Sequence, residues 1–102
     1  MNDTTKSTEA MLQEKGLNAP RLSPSIISSK IVKEEFHQLT DVLTVCVLTL
    51  ENGFNVTGES ACASPENFDS EIGNKVAKEN AVEKIWLLEG YLLKEKLYRG
   101  TN

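Results

Sequence analysis

Few positions in this 102-residue chain carry side chains able to do chemistry. Phe68 follows Ser64-Pro65-Glu66-Asn67, a helix-start pattern whose backbone N–H groups suit an anion, and its ring offers a flat face for a base. Asn80 and Lys84 follow four residues apart on the same helical stretch, after Lys75 and Lys78, while Arg21 in the N-terminal segment adds a guanidinium able to grip an oxyanion. Arg21, Phe68, Asn80 and Lys84 are therefore the candidate ligand-binding residues, and a small anionic ligand with a ring is the chemistry they fit. Each also has a plainer reading: core packing for Phe68, a solvated helix face for the lysines and a surface ion pair for Arg21.

Catalysis finds less support. Glu59 and Ser60 pair a base with a nucleophile in sequence, but neighbours on a strand face opposite sides. His37 is the sole imidazole and reads as a surface residue at a helix end. Neither G-x-S-x-G nor H-E-x-x-H occurs, and the glycines form no phosphate loop. Glu66, Asp69 and Glu71 cluster where a helix dipole already favours acids, so neither a metal nor a cofactor is expected. The expectation is a binding protein and not an enzyme.

Charge narrows the partners. Eleven Lys and Arg against 15 Asp and Glu leave a formal charge of -4, the wrong sign for coating a DNA or RNA polymer. No apolar run approaches the roughly 18 residues of a membrane span, and the first residues lack a signal-peptide core, so a membrane partner is not expected. Cys46 and Cys62 show no zinc or CxxC spacing and read as small packing residues.

The elements that must position these residues read as a single α+β domain over 19–98, with a flexible N-terminal arm at 1–18 and a flexible tail at 99–102. Ser23 and Pro24 open a helix expected to run to about Phe36, on the four-residue spacing of Ile27/Ile31 and Val32/Phe36. Residues 42–50 are dense in β-branched side chains and apolar on both faces, hence a strand. Asn52-Gly53 predicts a two-residue type I′ turn, with Thr49 opposite Val56, Val47 opposite Gly58 and Cys46 opposite Glu59. The resulting two-stranded antiparallel β-hairpin places the two cysteines on opposite faces. Ser64 and Pro65 then start a long C-terminal helix, or two consecutive helices, reaching about Leu97. Unbroken, it is roughly 50 Å long, too long for one small globule to cover. Either it breaks at Asn80 or Gly90, or its apolar side meets a second copy, with Trp86 and Tyr91 as interface anchors. A homodimer or a higher homo-oligomer is expected.

Three runs carry a family resemblance: APRLSP, then CVLTLENGFNVTGESACASPENFDSEIGNKVAKENAVEKIW, then LEGYLLKEKL. They closely resemble a family of short tailed-phage proteins from coliphage N4 and Shigella phage Sf6, over residues 19 to about 97. The chain is also similar to phage anti-Thoeris sponge proteins, which the resemblance implies fold as a two-stranded sheet with helices, assemble as dimers or larger oligomers, and sequester cyclic ADP-ribose signals made by TIR-domain enzymes. That group holds its ligand with an aromatic, an asparagine and arginines; Phe68, Asn80 and Arg21 are the matching residue types, while the C-terminal half departs from the pattern with Lys84, Lys94 and Lys96 where arginine is scarce. The resemblance implies a non-enzymatic protein in the host cytoplasm that sequesters a cyclic nucleotide to counter TIR-based defence. The competing reading is a small phage effector that docks its apolar helix surface on a host protein.

Overall fold

The computed structural model describes residues 8–17 and 19–100. Its centre is β2 (Leu43–Leu50), whose alternating half-buried and buried residues make it apolar on both faces. The backbone groups of such a strand need partners on both edges. β1 (Ile31–Gln38) and β3 (Asn55–Ala61) supply them, giving an antiparallel three-stranded sheet in the order β1-β2-β3. Before the sheet come α1 (Thr8–Glu14) and α2 (Pro24–Ser29), and after it a 3-10 turn (Pro65–Asn67) and α3 (Ser70–Arg99). Of the arm expected over 1–18, residues 1–7 and 18 lie outside the described residues, as do 101 and 102 of the tail.

The third strand corrects the sequence reading. The helix begun at Pro24, capped as expected by the Ser23 side chain accepting from the Ile26 amide, stops at Ser29 and does not reach Phe36. Serine competes with the helix backbone, and the Ser29 hydroxyl donates to the Ile26 carbonyl at 2.6 Å. The β-branched pair Ile31-Val32 then enters the sheet with a register irregularity between Ile31 and Lys33. A four-residue apolar spacing fits a strand as well as a helix, because four is also a multiple of two. His37 therefore lies in β1, opposite Val45, rather than at a helix end.

The hairpin register also differs by one residue. Leu48 pairs with Val56, Cys46 with Gly58 and Val45 with Glu59. The loop has three residues, closed by the Leu50 amide donating to the Phe54 carbonyl at 2.8 Å and the Gly53 amide to the Leu50 carbonyl at 2.8 Å. Gly53 alone in this loop takes a positive φ, 91°, so the turn is of the three-residue kind with a left-handed glycine and not type I′. A one-residue slip changes which side chains share a face. Val56, Gly58 and Ser60 accompany Thr44, Cys46, Leu48 and Leu50 beneath α3, and Cys62, just past β3, falls on the same side as Cys46 instead of the opposite one. Both thiols are free, and burial raises the Cys46 thiol above its ordinary value.

α3 covers this face. Asp69, not Ser64, is its N-cap, accepting from the Ile72 amide at 3.0 Å, and Gly100 closes it in the left-handed conformation. The helix passes through Asn80 and Gly90 unbroken, 30 residues and about 45 Å at 1.5 Å per residue. Beneath it β2, of eight residues, spans about 26 Å and β3, of seven, about 23 Å. Gly73, Ala77, Ala81 and Ile85, the buried residues of α3, all lie in its first sixteen positions. Ala77, Ala81 and Ile85 close a core with Ile27, Cys46, Leu48, Leu50 and Val56. The C-terminal half of the helix runs on past the sheet, and the chain measures 50 × 39 × 19 Å.

The tightest contact is Gly58 against α3, where a Cβ would lie 2.2 Å from the Ala77 carbonyl oxygen and 2.3 Å from the Ala81 nitrogen. Backbone on both sides leaves nothing to yield. Gly58→Ala should cost about 3 kcal/mol or more, whereas Gly90→Ala, whose Cβ meets only Leu22 at 3.9 Å, should stabilise by about 0.5–1 kcal/mol through helix propensity. Urea unfolding of the two variants checks both signs.

Candidate binding surfaces

The four candidate ligand residues do not converge on one pocket of a single chain. Phe68 lies between the 3-10 turn and α3, half-buried, in a groove of about 260 Å³ with Cys62, Asp69, Ile72, Gly73 and Val76. The anion site expected at this helix start is already engaged: the Asn67 and Phe68 amides donate to the Ser64 and Pro65 carbonyls. The Asp69 carboxylate holds the α3 N-terminus, and the Ser64 hydroxyl bonds to Glu66, holding that carboxyl below its ordinary value.

Asn80 is one part of the bridge between helix and sheet edge. Its side-chain amide donates to the Glu59 carbonyl of β3 at 2.7 Å, while its exposed flank joins Lys75, Lys78, Glu79 and Trp86 around an open groove. The cations there are matched: Lys75 pairs with Glu79 at 2.6 Å and Lys78 with Glu34 of β1 at 2.8 Å. Lys84 lies one turn beyond Asn80, exposed, and about 21 Å along the helix from Ser70. Arg21 is elsewhere, paired with Glu9 of α1 at 2.5 Å and donating to the Leu17 carbonyl at 3.1 Å. Trp86 lines both the Asn80 groove and the cleft that holds Arg21.

The structure instead gathers a surface on the overhanging half of α3. Asn80, Lys84, Leu87, Tyr91, Lys94 and Tyr98 recur at alternating intervals of four and three, the spacing that keeps side chains on one seam of a helix. Leu87, Tyr91 and Tyr98 are 76%, 69% and 78% exposed. Phe54, swung out by the three-residue loop, meets this seam at a groove of about 480 Å³ lined by Leu50, Leu87, Leu88, Tyr91 and Leu92. Lys84 and Lys94 form no ion pair among the described residues, so the seam combines aromatic, apolar and cationic side chains. The expected anchor Tyr91 stands at its middle, whereas Trp86 faces the α1 side. Phe54 is the residue the sequence reading missed, since the slipped register hid it. The 4-3 spacing was its partner's one available signal.

No described helix is long and apolar enough to cross a membrane, and no three His, Cys, Asp or Glu among the described residues are grouped to hold a metal. His37 lies on the open face of the sheet, 3.2 Å from Glu35, whose carboxyl is held below its ordinary value by Lys33 first and by His37 second. The family described as "Phage protein (N4 Gp49/phage Sf6 gene 66) family" matches residues 22–97. Neither a curated protein nor a solved structure matches the chain.

Asn80 and Lys84 can be told apart by stability. Asn80→Ala should cost about 1 kcal/mol by leaving the Glu59 carbonyl without its donor, while Lys84→Ala should stay within about 0.5 kcal/mol, both read from denaturant midpoints.

Proposed function

Because the chain belongs to the N4 Gp49/phage Sf6 gene 66 family of phage proteins, we propose that it acts by binding rather than catalysis, as an assembly of two or more copies that sequesters a cyclic nucleotide signal in the host cytoplasm. The observation that carries the binding and assembly part is the uncovered seam of α3: exposed aromatic and leucine side chains in a continuous patch mark an interaction surface. A helix that overhangs its own sheet gains cover only from another molecule. Two such seams laid together bury Leu87 and Tyr91 and carry Lys84 and Lys94 to the edge, where they add positive charge suited to phosphates.

The nucleotide part rests only on the similarity of the chain to sponge proteins that hold cyclic ADP-ribose signals and so counter TIR-based defence. In this reading the site is shared between copies, since one chain keeps Phe68 apart from Asn80 and Lys84. Phe68 contributes a half-exposed ring for stacking and Arg21 a cation. The apolar groove between Phe54, Leu87 and Tyr91 favours a second reading on the same surface: a hydrophobic anchor of a host protein seated there.

Two measurements test the proposal. Tyr91→Glu and Leu87→Glu should each weaken self-association by at least about thirtyfold, seen as a shift to monomer in size-exclusion chromatography with light scattering. A wild type that is monomeric at high micromolar concentration would contradict the assembly. Incubation with cyclic ADP-ribose isomers or cyclic dinucleotides, followed by heating and mass spectrometry, should return the captured ligand unchanged. A hydrolysed product would point to an enzyme, and a ligand left free throughout would move the weight to the host-protein reading.

A further inference from the structure

The order of side chains along the α3 seam restricts how two copies can lie on one another, a restriction that rests on the assembly proposed above and gives it a direction. Along the seam Lys84 comes first, then the apolar pair Leu87 and Tyr91, then Lys94, then Tyr98 one residue before the end of the helix. Neither lysine has an ion pair among the described residues. In a two-fold contact residue i meets j and j meets i, so each arrangement fixes what these two cations face.

A parallel pairing sets every seam residue against its own copy. Lys84 then meets Lys84 and Lys94 meets Lys94, and like charges brought together are costly. An antiparallel pairing with its axis at Glu89 faces Leu87 with Tyr91 but Lys84 with Lys94, the same fault. Moving the axis one step toward the sheet, between Ile85 and Trp86, turns Lys94 and Tyr98 to Ala77 and Gly73, which are buried in their own chain. Moving it the other way, between Leu92 and Leu93, gives Leu87 against Tyr98 and Tyr91 against Lys94. No cation faces a cation there, and Lys84 stays in water.

We propose that the α3 seams pair antiparallel about an axis between Leu92 and Leu93, so that Tyr98 of the second copy occupies the groove between Phe54 and Leu87. That groove, of about 480 Å³, is walled by Leu50, Phe54, Leu87, Leu88 and Tyr91, and an aromatic side chain is the kind of anchor such a wall accepts. Tyr98 is 78% exposed, and Arg99, with its guanidinium carbon 6.0 Å from the ring centroid, is the one cation set over its ring among the described residues. Lys94 lays its stem along the Tyr91 ring of the second copy and keeps its ammonium at the rim. The buried residues of α3 all lie in its first sixteen positions, so in this arrangement only the overhangs overlap and the two sheets stand at opposite ends.

Cysteine cross-linking tests the direction. Leu87→Cys and Tyr98→Cys both alter exposed positions; they are purified separately, mixed, left to exchange and oxidised, with the wild type giving the background from Cys46 and Cys62. The mixture should form disulfide-linked dimer on non-reducing gels at least about tenfold more than either variant alone, because only residues whose Cα atoms lie within about 7 Å can be bridged. Lys94→Glu should weaken self-association by about threefold to tenfold through loss of the contact with Tyr91, whereas with the axis at Glu89 the new carboxylate would meet Lys84 and tighten it. A wild type that self-associates while a single variant links with itself, while the mixture fails to link, or while Lys94→Glu tightens the contact, would overturn this arrangement and leave the assembly standing. A monomeric wild type in light scattering would overturn both.

Discussion

The approach of α3 to the sheet at Gly58 is the constraint on which the rest of the structure depends. A side chain of any size at that position would strike helix backbone at Ala77 and Ala81, so the helix can lie this close only because the strand offers no Cβ and the helix offers methyl groups. The same small-residue rule continues to either side, with Gly73 over Thr44 and with Cys46 directly across from Gly58 on β2. Close approach brings dispersion contact to the backbone itself, and Leu48 and Ile85 are fully buried. It also fixes where the helix is held: over its first half.

From that anchoring follows the shape of the binding surfaces. A helix pinned near its N-terminus and capped at both ends by Asp69 and Gly100 continues unbroken beyond its buried residues, and its later turns leave Leu87, Tyr91 and Tyr98 largely exposed. One side of the overhang carries Leu87, Tyr91 and Tyr98 with Phe54 from the hairpin, and the other carries Trp86 toward α1 and Arg21. The two differ in character. The first is broad, aromatic and suited to another surface, whereas the second is a cleft with one charged group. On α3, Lys75 pairs with Glu79 and Arg99 with Glu95, whereas Lys84 and Lys94 on the seam form no ion pair among the described residues.

Much of this was legible in the residues, and the exceptions have physical causes. Strand β2 could be read from its β-branched density, the hairpin from Asn52-Gly53, and the length of α3 from an uninterrupted apolar spacing that no proline breaks. The family run identified the phage origin. The third strand was hidden because Ile27/Ile31 and Val32/Phe36 satisfy both helical and strand periods. The candidate set Arg21, Phe68, Asn80 and Lys84 was chosen by residue type, and the spacing of these residues in sequence carried no information on whether one chain brings them together.

What the sequence determined by itself, then, was what local chemistry sets: the Ser23 cap, a turn at Gly53, the classes of β2 and α3 and the charge that disfavours polymer nucleic acid. What only the tertiary structure decided was set by pairing. The loop took three residues because a strand register that puts Gly58 under Ala77 and Ala81 is the one that lets the helix pack, and that shift moved Val56 and Gly58 inward and Phe54 to the seam. β1 became a strand because β2 had a second edge to satisfy. Such choices depend on backbone groups and surfaces far apart in the chain, and no window of neighbouring residues contains them.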